Sequence, residues 1–133
     1  MIQSLSCCES IKKVICENYS DYNGRARRSE FWYWQLFNLI MNIIFFILAY
    51  VISTQISFVL IPIFIIISLT ILFPTFTIMI RRLHDTGRSG WFLLLLLIPI
   101  IGWIILTIWF CQDSDYKNEY GPSPKVVSSG YIW

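Results

Sequence analysis

Charged side chains are scarce in this sequence of 133 residues: they make up 14% of it, while hydrophobic residues make up 56%. Typical soluble domains carry about 25% charged residues. Three stretches, residues 31–52, 56–80 and 91–110, contain no Asp, Glu, Lys or Arg, and each is long enough for a helix to cross a bilayer, which takes about 20 residues. Because a small soluble chain cannot bury so much apolar surface, the sequence predicts a membrane protein.

Residues that bind metals or act as nucleophiles are also few. His84 is the one histidine, and the four cysteines (Cys7, Cys8, Cys16 and Cys111) form no C-x-x-C pair or other zinc-binding spacing. We therefore expect no metal and no cofactor. The three N-terminal cysteines are interpreted as small apolar residues that stay reduced on the cytoplasmic side. The stretch 1–19 lacks the continuous apolar core of a cleavable signal peptide, so the internal apolar runs are expected to drive insertion.

A strong excess of charge of one sign is absent as well, since the net charge is only +2. This excludes an ordinary nucleic-acid-binding surface, and nucleic acid is not expected as a partner. The distribution of Lys and Arg is more informative. Five lie before residue 31 and three lie in 81–90, whereas the connection 53–55 has none and the tail 111–133 has two. Because cytoplasmic segments are enriched in Lys and Arg, the N-terminus and the 81–90 segment are predicted to be cytoplasmic.

The predicted fold is all-α: a polytopic membrane protein, built as a small bundle of three transmembrane helices with an N-terminal amphipathic helix. It forms a single membrane domain over residues 1–133. Apolar residues recur every three or four positions in the lead, which could lie among lipid headgroups or pack on the protein's own loops. The predicted segments are an amphipathic lead and turn at 1–23, spans at 31–52, 56–80 and 91–110, a cytoplasmic hinge at 81–90 and a polar tail at 111–133.

The third apolar run allows two topologies. A single crossing with a bend near Pro99 places the tail outside the cell. A re-entrant pair of half-helices, broken at residues 99–102, returns the tail to the cytoplasm. We expect the single crossing over 91–110, because broken backbone at membrane depth must be shielded by protein, and two other spans offer limited cover.

The first span carries a polar face. Gln35, Asn38 and Asn42 fall at i, i+3 and i+7, so they share one side of the helix. Amides that face acyl chains lack hydrogen-bond partners, so this face is predicted to point into the bundle, where it aids packing. These three side chains should be more buried than Ile40 and Ile44. A polar transport path along the same face is the alternative.

The hinge holds residues that could suggest nucleophilic catalysis, namely His84, Asp85 and Ser89. Adjacent helical residues diverge by about 100°, so Asp85 is poorly placed to orient His84. Arg81 and Asp85 stand at i, i+4 and are expected to pair. Glu30, at the start of the first span, needs a partner at this low-dielectric boundary. We expect it to contact one of the hinge arginines.

Three stretches together resemble a known family. Residues 24–32 read GRARRSEFW, residues 82–91 read RLHDTGRSGW, and residues 98–103 read IPIIGW, followed by NEYGPSP at 118–124. This ordered set is similar to domain of unknown function family 805, which comprises small bacterial inner-membrane proteins. The resemblance covers nearly the whole chain and implies a multi-pass bacterial inner-membrane protein, but it implies no activity. The candidate functional cluster comprises Arg25, Arg28, Glu30, Trp32, Arg82, His84, Asp85, Arg88, Ser89 and Trp91.

Three functional hypotheses follow. The leading one is a non-enzymatic membrane adaptor or anionic-lipid-interacting protein with a basic cytoplasmic face. The first alternative is a small transporter or channel component that uses the polar face of the first span. The second alternative is a membrane enzyme that acts on lipid through His84 and Asp85. The expected partners are membrane lipids with anionic headgroups, a second copy of the chain or another membrane protein.

Overall fold

The computed structural model describes residues 6–51 and 54–124, with the side chains of residues 54–57 and Pro122 excepted. Two of its helices are long and apolar enough to cross a membrane, and a shorter apolar helix follows them. The predicted all-α membrane fold is confirmed. The elements are α1 (Cys7–Lys12), a π-helical turn (Lys13–Glu17), α2 (Arg28–Val51), α3 (Thr54–Asp85), a 3₁₀ helix (Gly90–Leu97), α4 (Ile101–Cys111), and the antiparallel two-residue strands β1 (Lys117–Asn118) and β2 (Gly121–Pro122).

The lead helix packs on the protein, which is one of the two positions considered for it. Ser6 and Glu9 form a capping box that starts α1: the Ser6 hydroxyl accepts from the Glu9 N–H, and the Glu9 carboxylate accepts from the Ser6 N–H. Val14 is buried, and the Tyr19 hydroxyl donates to the Thr70 carbonyl of α3 at 2.7 Å. Residues 1–5 of the predicted lead lie outside the described residues.

Helix α3 is longer than predicted, because it runs on through Asp85 and takes in half of the predicted hinge. It ends in a Schellman motif, in which the Gly87 N–H donates to the His84 carbonyl and the Arg88 N–H donates to the Leu83 carbonyl. Gly87 has φ +68°, a conformation that favours glycine. The chain therefore reverses sharply within a few residues.

The third apolar run is not one continuous helix. The chain reverses at Ile100, whose φ is +66°, and α4 folds back against the 3₁₀ helix. The two arms touch at Gly102, where an added Cβ would lie 1.9 Å from the Leu95 carbonyl oxygen. The C-terminal end of the run lies beside the end of α3, since Arg82 donates to the Gln112 carbonyl. The one continuous helix expected over 91–110 is therefore wrong, because a proline break and a glycine contact allow two arms to pair.

The hydrophobic core lies where the termini of the helices meet. Phe31 and Trp34 at the start of α2 pack with Leu83 near the end of α3, and Phe110 of α4 lies 4.6 Å from Phe31 between ring centroids. Most side chains further along α2 and earlier in α3 are exposed. The buried core thus forms a platform at one end, from which α2 and the first part of α3 project.

Candidate functional site

The Asp, Glu, Lys and Arg residues that the structure describes gather at the end where the core lies. Residues 31–80 and 89–112 contain no Asp, Glu, Lys or Arg, so these residues are confined to three short segments. Backbone hydrogen bonds join the described parts of those segments. The Ala26 N–H donates to the Arg81 carbonyl at 3.0 Å, and the Asp115 N–H donates to the Asp85 carbonyl at 3.1 Å. We call this region the charged end.

The centre of the charged end is Asp85, which is fully buried at the last turn of α3. Its Oδ1 accepts from Arg25 Nε at 2.9 Å, and its Oδ2 accepts from Arg82 and from the Ser114 hydroxyl. These four residues form the Asp85 cluster. Arg82 and Asp85 belong to α3, Arg25 lies in the loop before α2, and Ser114 lies in the tail. The cluster therefore connects α3 to that loop and to the tail.

The two arginines of the Asp85 cluster use their remaining donors on carbonyl groups. Arg25 donates to the carbonyls of Gly121, Asp85 and Asp115, and Arg82 donates to those of Phe110 and Gln112. Arg82 thereby satisfies carbonyls at the end of α4 that have no partner within the helix, and its positive charge suits that end of the helix dipole. Every nitrogen of these two guanidinium groups therefore donates at least one hydrogen bond, which favours a stable buried ion pair.

Two predicted ion pairs are wrong. Arg81 does not bind Asp85 but donates to the Arg25 carbonyl at 3.3 Å, because Asp85 is already occupied by Arg25 and Arg82. Glu30 does not contact a hinge arginine. Its carboxylate lies 2.8 Å from the ammonium of Lys13 and also accepts from the Arg27 N–H, because the lead helix packs close enough to supply the partner.

Catalysis through His84 and Asp85 is not supported by the arrangement. The His84 ring stacks on Tyr120, with centroids 3.9 Å apart and planes within 3°, while the carboxylate of Asp85 is held by the arginines. The tail fixes this stack further, because the Asn118 side chain donates to the His84 carbonyl at 2.8 Å. Burial raises the pKa of Tyr120, and the charge of Glu119 raises it further. Tyr120 is therefore a neutral phenol at physiological pH.

Other members of the candidate cluster lie at the edge of the charged end. Arg28 and Trp32 are exposed one turn apart on α2, and Arg88 places its guanidinium 4.6 Å above the ring of Trp109. Ser89 caps the 3₁₀ helix by accepting from the Trp91 N–H. The ten candidate residues thus do not form a single site.

A cavity of about 560 Å³ lies between α3 and the 3₁₀ helix. His84 and Ser89 line it at the charged end, and apolar side chains line the rest. Trp91 and Leu97, which also line it, are 80% and 79% exposed. The cavity therefore has a polar end, an apolar body and an open side.

The polar face of α2 lies along a second cavity of about 410 Å³, between α2 and α3. Gln35 and Asn38 are half-buried there, but Asn42 is exposed and Ile44 lines the same cavity. Gln35 and Asn38 are thus more buried than Ile40 and Ile44, as expected, whereas Asn42 is exposed, as the two isoleucines are. The amide groups of Asn38 and Asn42 find partners within their own helix, on the carbonyls four residues earlier.

Sequence reasoning missed the contribution of the tail and of the lead helix. Ser114, Asn118 and Tyr120 bind hinge residues, and Lys13 binds Glu30. The signal for the tail was present, since residues 118–124 belong to the motif set. The predicted single crossing placed those residues on the opposite side from the hinge, which hid their role.

Comparison with known proteins gives a consistent assignment. The model of the family described as "Protein of unknown function (DUF805)" matches residues 19–122. The inner membrane protein YhaI of Escherichia coli K12 is 34% identical over 116 residues, covering 86% of this chain and 95% of the relative. The inner membrane protein YhaH of the same strain is 36% identical, covering 84% and 93%. No solved structure gives a significant match.

These relatives support an inner membrane location, and the two long apolar helices agree with it. The matched region includes residues 81–88 and parts of the two other segments that meet at the charged end, but not the lead helix. The chain belongs to the DUF805 family of proteins of unknown function.

Proposed function

We propose that this is a non-enzymatic inner-membrane protein with two crossing helices, whose charged end lies in the cytoplasm and binds anionic lipid. The observation that carries the proposal is the pair of Arg28 and Trp32. Arg25 and Arg82 are buried in internal contacts, whereas Arg28 is exposed with an exposed tryptophan one turn further along α2. A cation beside an indole suits the headgroup layer, where both have favourable contacts.

The topology follows from the position of the charges. The described residues of the lead, the end of α3 and the tail contact one another, so the Lys and Arg residues that they carry lie at one end of the crossing helices. The connection between α2 and α3 has no Lys or Arg. Because Lys and Arg concentrate on the cytoplasmic side, both the N-terminal segment and the tail are proposed to be cytoplasmic.

The length of α3 supports a charged end at headgroup level. From Phe58 to Asp85 this helix has 28 residues, which is about 42 Å at 1.5 Å per residue. The hydrocarbon core is only about 30 Å thick. The last turns of α3 therefore extend into the headgroup layer, where the lead helix and the tail pack against them.

The lead contributes a second exposed cation at the charged end. Lys12 is exposed and precedes Lys13, which pairs with Glu30 two residues after Arg28. Among the described residues, no ion pair includes Lys12 or Arg28. Each cation near an anionic membrane surface contributes about 1 kcal/mol. Two such cations give a measurable preference for anionic headgroups.

The test is the composition of lipid that stays with the protein. The full chain is reconstituted in nanodiscs of phosphatidylethanolamine and phosphatidylglycerol, released gently, and its bound lipids are counted by native mass spectrometry. We expect phosphatidylglycerol to be enriched and the enrichment to fall about fivefold or more in Arg28→Gln/Lys12→Gln. Lys117→Gln, which removes an exposed cation of the tail, is the matched control. No enrichment in the unmodified chain, or an equal loss in the control, would contradict the proposal.

A further inference from the structure

The cavity between α3 and the 3₁₀ helix has the chemistry of a lipid site. We propose that it binds one glycerophospholipid, with an acyl chain along its apolar body and an ester or phosphate oxygen at His84 and Ser89. This deepens the proposed function and rests on its membrane embedding, but it concerns a defined cavity rather than the exposed cations. The site and its occupant are argued from the lining, the opening and the orientation of His84.

The lining runs from polar to apolar along α3. Phe76, Ile80 and His84 are spaced four residues apart on one face, so they span about 12 Å along the helix axis. Leu94 and Leu97 of the 3₁₀ helix line the opposite wall. A volume of about 560 Å³ lies within the usual range for small-molecule sites. An elongated apolar cavity with hydrogen-bonding groups at one end matches an amphiphile with one chain inserted.

The open side of the cavity determines what can enter it. Trp91 and Leu97, at the rim, are the most exposed side chains of the 3₁₀ helix. In the proposed topology this rim faces the bilayer, so the molecules that meet it are lipids. The polar end lies at headgroup level, because His84 is in the last turn of α3. A phospholipid therefore enters the cavity laterally from the bilayer. Its headgroup is then at the level of His84, and its acyl chain is at the level of the apolar body.

The orientation of His84 is the second, independent observation. Tyr120 covers one face of the imidazole, and Asn118 holds the backbone of the same residue. The Nε2 edge points towards Gly90, since a Cβ added there would lie 3.5 Å from Nε2, and Gly90 lines the cavity. The Asp85 cluster makes no use of this nitrogen. His84 is thus held by the tail in a position where Nε2 can hydrogen-bond to an occupant.

Charge complementarity selects a phospholipid over a neutral amphiphile. Arg88 precedes Ser89 and carries a positive charge to the same level as the polar end, where its guanidinium rests on Trp109. The first N–H groups of the 3₁₀ helix begin at the same place and favour negative charge. Among the described residues, none of those lining the cavity is acidic. The carboxylate of Glu119, which acts on His84 and Tyr120, lies outside the lining of the cavity. A phosphodiester near Ser89 therefore has Arg88 as the cation at its own level.

The test is site-directed photolabelling in proteoliposomes. The full chain is reconstituted with phosphatidylethanolamine, phosphatidylglycerol and a trace of phosphatidylethanolamine that carries a diazirine within one acyl chain. After irradiation, the labelled peptides are identified by mass spectrometry. We expect the label to concentrate on residues that line the cavity, within the segments 76–84 and 89–97.

Two variants probe the two ends of the cavity. Leu94→Trp fills the apolar body and should reduce the cavity label about fivefold or more, while Ile101→Trp adds the same ring to an exposed position of α4 and should not. His84→Phe keeps a ring to stack on Tyr120 but removes Nε2, and should reduce the label about fivefold, the loss expected for one hydrogen bond. Ser89→Ala tests the other hydrogen-bonding group in the same way.

The outcomes separate this inference from the proposed function. Arg28→Gln/Lys12→Gln should change the headgroup composition of bound lipid and leave the cavity label unchanged. Label spread evenly over the exposed faces of α2 and α3 would overturn the inference. So would cavity label that survives Leu94→Trp, or a cavity that stays unlabelled because a protein segment or a second copy of the chain covers it.

Discussion

Replacing Asp85 with asparagine should be among the most damaging single changes to this chain. Asp85 is fully buried, and its carboxylate accepts hydrogen bonds from Arg25, Arg82 and Ser114. Asparagine keeps the shape but removes the negative charge, so two buried guanidinium groups lose their only shared counterion within the described residues. Its amide also offers two donors where the site supplies donors already.

The magnitude can be set from the structure. Removing one partner of a buried ion pair costs about 3–5 kcal/mol, because the remaining charge stays buried without compensation. Here the loss of the single Asp85 carboxylate leaves two buried guanidinium groups without it. The carbonyl groups that also accept from Arg25 and Arg82 offset part of that cost. We therefore expect a loss of about 3–5 kcal/mol in the free energy of unfolding for Asp85→Asn, and a smaller loss for Arg82→Gln, which leaves the pair of Arg25 and Asp85 intact.

The assay is thermal unfolding of the purified full chain in a mild detergent, followed by fluorescence-detected size exclusion. A loss of this size should lower the midpoint by about 10 °C or more. Glu17→Gln, which removes an exposed carboxylate from the lead, is the control and should unfold at the same temperature as the unmodified chain. Limited proteolysis should also cut the tail of Asp85→Asn faster, because Asp85 anchors Ser114 and Asp115. An unchanged midpoint for Asp85→Asn, with an intact tail, would refute the reasoning.

Three further predictions follow from the same structure. A fluorescent protein fused to the C-terminus should fluoresce and alkaline phosphatase fused there should be inactive, because the tail returns to the side of the lead; active phosphatase would mean that the third run crosses. Gly102→Val should lower the unfolding midpoint in detergent by several degrees or more, because its side chain would meet the Leu95 carbonyl, while Ile101→Val, at an exposed neighbour, should not. The pKa of Tyr120 is raised on folding from 10.0, so the phenol contributes its full stabilisation below pH 10 and less as the pH rises further. The free energy of unfolding, measured against pH, should therefore decline less above pH 10 in Tyr120→Phe than in the unmodified chain. Equal curves for the two proteins would contradict this.

The class of the protein was predictable because it depends on composition and length. Long runs of uncharged, apolar residues indicate membrane helices independently of the tertiary contacts that those residues make. The structure has helices over the first two of these runs. The motifs at residues 24–32 and 82–91 also indicated the correct family. The partners of the buried charges were not predictable in the same way. The spacing of Arg81 and Asp85 suggests a helical pair, but Asp85 is taken by Arg25, which lies 60 residues earlier in the chain.

The error in the third run has a physical origin that sequence reasoning could have detected. A helix over 91–110 satisfies its own backbone, which favours one crossing, while a broken pair of arms needs protein to cover the break. The arms themselves provide part of this cover, since Gly102 contacts Leu95 and the Trp103 indole donates to the Leu96 carbonyl at 3.2 Å. The placement of charge pointed the same way. A re-entrant run collects every Lys and Arg of the chain on one side, whereas a crossing run leaves two on the other, so the rule that oriented the first two helices also favours the returning tail.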